Sequence, residues 1–124
     1  MGKKGTQVLV KETFEENVDY LIKELRIGKS FDVIHRPLEW GERKFAMFLI
    51  DGFAAANILL LIMKEIEKRK PEDFGDNPIE KLFKTFIPHV EVNKTEDLEE
   101  VIAQILAGQT ALVAEGGNEV ILID

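Results

Sequence analysis

The chain has 124 residues, 45% of them hydrophobic, and a formal net charge of −7. This length and apolar content suit one globular domain with its own core. The acidic excess argues against a nucleic-acid-binding surface, which needs clustered basic residues, and against direct attraction to anionic membranes. Because the chain has no cysteine, disulfides, thiolate catalysis and cysteine-ligated metal sites are excluded.

The first predicted element is an amphipathic helix. Residues 1–11 show no hydrophobic period and are expected to form a disordered lead, so that residues 12–124 make up a single α/β subdomain. Thr13 and Glu16 form a capping-box pattern, and Gly28 is expected to end the helix. Four apolar residues follow the cap at helical spacing, namely Phe14, Val18, Leu21 and Leu25.

Two strands are predicted next, joined by a turn at residues 40–43. The segment 31–39 contains Pro37, which cannot donate a ladder hydrogen bond, so this strand is expected at a sheet edge. Residues 44–50 are apolar on both faces, which is typical of a central strand covered by helices on both sides.

The run from Phe45 to Met63 is almost long and apolar enough to span a membrane, which takes about 20 residues. Asp51 and Gly52 lie in its middle, however, and a charge at the bilayer centre costs about 2.5–3.5 kcal/mol. The sequence therefore predicts a buried strand ending at Ile50, a turn, and a helix over about 54–69. Because residues 58–63 are apolar all round, we expect this helix to pack on more than the sheet.

The second half of the chain predicts two more helices and three strands. A short helix follows Asn77, a strand covers residues 89–92, and Thr95 is expected to cap a helix that ends at Gly108. Strands over 110–114 and 120–123 flank a glycine-rich turn. A strand, a helix and a strand in succession between residues 89 and 114 predict a βαβ unit.

Together these elements predict an α/β fold with a mixed sheet of about five strands, helices packed on it, one βαβ unit and two hairpins. The chain stops on the apolar strand ending at Asp124. Since intact domains usually end in solvated residues, we expect a piece of a longer protein.

Motifs that would support catalysis are missing from the sequence. His35 and His89 are the only histidines, neither accompanies a nucleophile or a metal-ligand spacing, and His35 is expected to be solvated or satisfied locally. The pair Gly116-Gly117 leads into a strand, which a hairpin turn explains. The sequence thus predicts no enzyme, no catalytic residue, no metal and no cofactor.

One constellation is suited to binding. Asp51, Gly52 and Phe53 follow a central strand and precede a helix, which is where α/β sheets bind ligands. Asp51 could face such a ligand or could simply cap the following helix. A free-standing cytosolic α/β small-molecule-binding module is therefore an alternative function.

Five segments, in this order, resemble the GerA/SpoVAF family of spore-germination membrane proteins, which comprises the A-type subunits of germinant receptors and their sporulation relatives. The resemblance covers the chain from residue 31 to its end. The segments are FDVIHR (31–36), KFAMFLIDGF (44–53), DLEEVIAQILAG (97–108), TALVAEG (110–116) and VILID (120–124).

The resemblance implies the first part of the soluble N-terminal domain of a receptor or ion-channel-type assembly. It implies a location on the cytoplasmic (spore core) side of the inner membrane, with transmembrane segments outside this fragment. The implied role is protein–protein assembly and germinant or signal sensing. The implied partners are other subunits of the germination complex, the rest of its own chain and a possible homo-oligomer, with no nucleic acid and no direct membrane contact.

The resemblance also bears on candidate site residues. Arg36 matches a basic position of the family motif, which implies an interface or anion contact. With Asp51, Gly52 and Phe53 it completes the set of ligand or interface candidates.

Overall fold

One five-stranded sheet with helices on both faces forms the core. The computed structural model describes residues 7–26, 33–40, 42–50, 55–68, 70, 72, 75, 77–80, 84 and 91–124. Three helices have described bounds, α1 (Phe14–Leu25), α2 (Ala55–Glu67) and α3 (Leu98–Leu106), and residues 78–80 are also helical, as predicted after Asn77. Its strands are β1 (Val33–Trp40), β2 (Arg43–Ile50), β3 (Val92–Thr95), β4 (Thr110–Ala114) and β5 (Val120–Ile123).

The sheet has the spatial order β1-β2-β4-β5-β3. The α/β class, the five strands and both hairpins, β1–β2 and β4–β5, are confirmed. The prediction of a mixed sheet needs one correction, because every described pair of neighbouring strands is antiparallel. The reason is that β5 lies between β3 and β4, which therefore run parallel to each other without pairing. The predicted βαβ unit is thus split by an inserted strand.

The two faces of the sheet carry separate apolar cores. Strand β2 contributes to both, since residues 45–49 are all buried, as predicted for a covered central strand. One core lies between the sheet and helices α1 and α3 and consists of Val18, Leu21, Leu25, Val33, Ala46, Phe48, Leu98, Val101, Ile105, Ala111, Val113, Val120 and Leu122. The other core lies between the sheet and α2 and consists of Phe45, Met47, Leu49, Ile62, Ile66, Ile79, Leu112, Ala114, Ile121 and Ile123.

Helix α1 begins as predicted and ends earlier. Thr13 is its N-cap, and the Thr13 Oγ1 accepts a hydrogen bond from the Glu16 N–H at 3.1 Å. The C-cap is Arg26, in a left-handed conformation with φ 53°, rather than a residue at Gly28. Gly28 itself lies outside the described residues. The helix ends here because the left-handed conformation of Arg26 turns the chain away from the helix axis, while its N–H still bonds to the carbonyls of Ile22 and Lys23.

The expectation of a disordered lead over residues 1–11 is wrong for residues 8–11. The Leu98 N–H donates to the Val8 carbonyl at 2.7 Å. The Lys11 N–H donates to the Oδ1 of the buried Asn17 at 2.6 Å. These bonds hold the segment against the first turns of α1 and α3, which hydrophobic periodicity alone does not indicate.

Strand β3 and the cap of α3 are shifted from their predicted positions. Asp97, not Thr95, is the N-cap, and its side chain accepts from the Glu99 N–H at 3.0 Å. Thr95 ends β3, and its Oγ1 accepts from the Asp97 N–H at 3.1 Å. Either side chain can cap a helix, so spacing alone did not separate them. Of the predicted strand over 89–92, residues 89 and 90 lie outside the described part.

Candidate functional site

The structure places only one of the four candidate site residues. Arg36 lies on β1, opposite Met47 of β2, and its side chain is exposed. Asp51, Gly52 and Phe53 lie outside the described residues. Both alternatives for Asp51, capping the following helix or facing a ligand, therefore stay predictions.

Helix α2 carries two exposed apolar side chains on the side turned away from the sheet, beside exposed polar residues at Asn57, Lys64 and Glu67. Ile62 is fully buried and Ile66 is 4% exposed. Leu60 is 55% exposed and Met63 is 38% exposed, and residues three apart lie on one side of a helix. We call Leu60 and Met63 the outer face of α2. No helix in the described part of the chain is long and apolar enough to cross a membrane.

A small cavity separates α2 from strand β1. It is lined by Leu38, Glu39, Trp40, Met63, Ile66 and Glu67 and has a volume of about 60 Å³. Small-molecule sites usually occupy about 300–1,000 Å³. This cavity therefore fits one apolar side chain better than a cofactor. We call it the α2 cavity.

A second cavity lies beside the start of α1. It measures about 340 Å³ and is lined by Phe14, Pro37, Leu38, Glu39, Lys44 and Phe45. The Lys44 Nζ lies 3.3 Å from the Glu15 carboxylate, with both side chains more than half exposed. Such exposed ion pairs contribute little to stability. Their charged groups give this cavity a polar rim. We call it the α1 cavity.

Among the described strands, β1 is the outermost one beside both cavities, in agreement with the edge position predicted from Pro37. The cavities share Leu38 and Glu39, which places them along the same stretch of the sheet edge. The structure therefore combines an edge strand, two side-chain-lined cavities and the apolar outer face of α2 in one region.

His35 is the unusual polar group of β1. Its ring stacks on Phe48, with centroids 4.8 Å apart and planes 11° from parallel. The Nε2 is buried and has no hydrogen-bond partner among the described residues. The expectation of a solvated or locally satisfied His35 is therefore wrong for this atom. Burial lowers the pKa of the imidazole from its usual value, because the charged form loses its hydration.

The turn end of the β1–β2 hairpin is held by hydrogen bonds between side chains and backbone groups. The Arg43 guanidinium donates to the Glu115 carbonyl at 2.7 Å and to the Gly75 carbonyl at 2.6 Å. The Lys44 N–H donates to the Glu115 carboxylate at 2.9 Å. These bonds tie the β4–β5 turn to β2, which gives Arg43 a structural role.

Sequence reasoning missed the residues of the two cavities. The sequence predicts Trp40 in a turn, whereas it is the last residue of β1 and lines the α2 cavity. A period-two pattern could have revealed it, because Ile34, Leu38 and Trp40 all pack against the core under α2. The presence of Met63 in the same cavity lining has no such signal, since β1 and α2 are separated in sequence.

A family profile matches nearly the whole chain. The sequence profile described as "Bacillus/Clostridium GerA spore germination protein" matches residues 10–124. The Stage V sporulation protein AF of Bacillus subtilis (strain 168) is 23% identical over 114 residues, which cover 88% of this chain and 22% of that protein.

A solved structure has the same fold. It is the crystal structure of the N-terminal domain of the A subunit of the Bacillus megaterium spore germinant receptor GerK3, with a TM-score of 0.75 and 20% identity. The match covers 96% of this chain and 48% of that chain. The chain thus spans less than a quarter of the curated relative and about half of the solved domain. Since the family profile covers nearly the whole sequence, the chain belongs to the GerA family of spore germination proteins.

Proposed function

We propose that this chain is the soluble N-terminal subdomain of a spore germination or sporulation membrane protein, and that it acts through protein–protein assembly rather than catalysis. Family membership and the greater length of the relatives support this proposal. The observation that carries the assembly role is the outer face of α2, where Leu60 and Met63 are exposed.

The outer face of α2 has the chemistry of an interface. Burying one Leu or Met side chain contributes about 1.5–3 kcal/mol. Because Leu60 is 55% exposed and Met63 is 38% exposed, a partner that covered them would gain about half of this amount for each side chain. Glu67 and Lys64 are exposed beside them, and an apolar centre with a charged rim is the usual anatomy of such interfaces.

The proposed partners are other subunits of a germination complex and the remainder of the parent chain. In this proposal the subdomain lies on the cytoplasmic side of the spore inner membrane, held there by transmembrane segments of the parent protein. Germinant or signal sensing, with Arg36 and Asp51-Gly52-Phe53 as candidate contacts, belongs to the same proposal. No nucleic acid is involved, because the net charge is −7.

The reading frame of the gene tests the membrane context. The proposal predicts that the frame encodes several apolar spans of about 20 residues each downstream of this segment. A stop codon soon after Asp124, with no such span, would contradict it. The alternative small-molecule module predicts instead that the isolated domain gains thermal stability in a panel of small polar metabolites, because ligands that bind only the folded state raise its Tm.

A further inference from the structure

Five exposed side chains form one continuous surface on helix α2. Four of them recur at intervals of three or four residues and so lie along one side of the helix, and Met63 lies beside them. An amide stands at the N-terminal end of this surface, a carboxylate stands at its C-terminal end, and two apolar side chains lie between them. We call this surface the α2 stripe; it consists of Asn57, Leu60, Met63, Lys64 and Glu67.

The α2 stripe is complementary to itself when two antiparallel copies are related by a two-fold axis. With the axis midway along the stripe, Asn57 of each copy faces Glu67 of the other, and Leu60 faces Met63. The Asn57 amide can donate a hydrogen bond to the Glu67 carboxylate, and hydrogen bonds to an ionised acceptor are roughly twice as strong as neutral ones. A two-fold interface requires this kind of self-complementarity, because the same surface serves both partners.

Parallel helices in the same register fit less well. They would place Lys64 against Lys64 and Glu67 against Glu67, and like charges in contact lower affinity. In the antiparallel arrangement Lys64 lies opposite Leu60 of the second copy, where its aliphatic stem covers the leucine and its ammonium group reaches solvent. The charges of the stripe therefore favour one direction of packing.

We propose that the α2 stripe binds a second copy of this chain, with the two α2 helices antiparallel about a two-fold axis. This inference names the partner at the outer face of α2 and therefore rests on the assembly role proposed above. Five residues on each copy are far fewer than the about 20–30 per side of a standard interface. We therefore expect weak self-association of the isolated chain, with a dissociation constant on the order of 0.1–1 mM.

Disulfide trapping tests the direction of packing. The chain has no cysteine, so every disulfide reports on the introduced positions. The Asn57→Cys and Glu67→Cys proteins, one of them carrying a size tag, are mixed in equal amounts in a glutathione redox buffer. The proposed arrangement brings position 57 opposite position 67 and holds each position about 15 Å along the axis from its own copy, at about 1.5 Å per residue. We expect the mixed disulfide to exceed each same-variant disulfide about tenfold, because a disulfide requires Cα atoms about 4.4–6.8 Å apart.

The matched control is Leu106→Cys, which introduces a cysteine at a position of α3 that is 45% exposed and lies outside the stripe. A statistical mixture of the three disulfides would overturn the proposal, and so would an excess of the same-variant disulfides, which parallel packing predicts. Trapping at positions 57 and 67 that does not exceed the trapping of the control would also overturn it.

A charge exchange tests the same contact without a cross-link. Asn57→Asp places a carboxylate opposite Glu67 of the second copy, so we expect about fivefold weaker association in an NMR dilution series. Adding Glu67→Lys to that variant should restore the wild-type affinity, because opposite charges then face each other across the axis. The two positions are about 15 Å apart within one helix, so only the second copy can supply the rescue. Failure of Glu67→Lys to rescue Asn57→Asp would overturn the proposal.

The variants of this test should fold. An acidic residue in the first turn of α2 and a basic residue in its last turn both suit the helix dipole. Failure of this inference is also distinguishable from failure of the proposed function. If the isolated chain does not pair through the stripe, but the parent protein still loses its subunits when the outer face of α2 is changed, a different subunit covers that face. The second copy is then overturned and the assembly role stands.

Discussion

At the scale of single residues, Gly117 shows how closely the β4–β5 turn approaches the segment after Asn77. A Cβ added at Gly117 would lie 2.6 Å from the Ile79 Cγ1 and 3.3 Å from the Ala114 carbonyl oxygen. Ile79 is fully buried and has little room to move. We expect Gly117→Ala to lower the free energy of unfolding by about 1–3 kcal/mol, as overpacking does. Urea denaturation of the two proteins measures the difference.

A double-mutant cycle tests whether contact with Ile79 causes the loss of stability in Gly117→Ala. Ile79→Ala alone should cost about 2–5 kcal/mol, because it removes buried methyl groups and leaves a cavity. In the double variant the added methyl no longer meets the Ile79 side chain, so the total loss should be smaller than the sum of the two single losses. Strict additivity would show that the clash lies elsewhere.

His35 makes the stability of the fold depend on pH. Burial lowers its pKa in the folded chain, so the unfolded chain binds the proton more readily. The contribution of neutral His35 is therefore complete above the unfolded pKa of about 6.5. It is lost as the pH falls through the folded pKa. We expect His35→Phe, which keeps a ring against Phe48, to lose less stability on acidification than the wild type.

Urea denaturation at a series of pH values compares the two proteins. Parallel loss of stability in the wild type and in His35→Phe would show that other groups, and not this imidazole, set the acid dependence. Above the unfolded pKa the two stability curves should run parallel, because His35 is then neutral in both states of the wild type.

At the scale of elements, α2 should tolerate a charge on its outer side and not on its inner side. Ile62→Asp buries a carboxylate without a partner, so we expect a loss of more than about 4 kcal/mol and an unfolded domain. Leu60→Asp changes a residue that is 55% exposed. We expect a change of about 0.5 kcal/mol, close to the difference in helix propensity. Thermal denaturation followed by circular dichroism distinguishes the two.

Most elements could be predicted from local patterns. Strands β4 and β5 have the predicted bounds, and the Asp-Gly interruption correctly divided the apolar run into β2 and α2. The start of α3 could not be fixed, because Thr95 and Asp97 are both good capping residues and only tertiary contacts choose between them. One such contact is the hydrogen bond from the Val8 N–H to the Asp97 carboxylate, which is 3.3 Å long and joins two residues that are 89 positions apart in the sequence.

At the scale of the whole molecule, strand order limited what the sequence could show. The insertion of β5 between β3 and β4 leaves no trace in the periodicity of any one strand, so the mixed sheet was a wrong inference from a correct list of elements. The α2 cavity has the same origin, since it forms where β1 and α2 meet in space. The apolar run over residues 58–63 predicts packing beyond the sheet; Leu60 and Met63 are its exposed members, and what covers them stays a prediction.

The most direct measurement of the central claim is co-purification of the parent protein with its complex from sporulating cells. The variant is Leu60→Asp combined with Met63→Asp, and the control is Leu106→Asp, which changes a leucine on α3 that is 45% exposed. Both proteins should fold, because these side chains lie largely outside the core. The account predicts that the α2 variant loses its partner subunits and that the control retains them. Retention of the same partners by a folded α2 variant would contradict it.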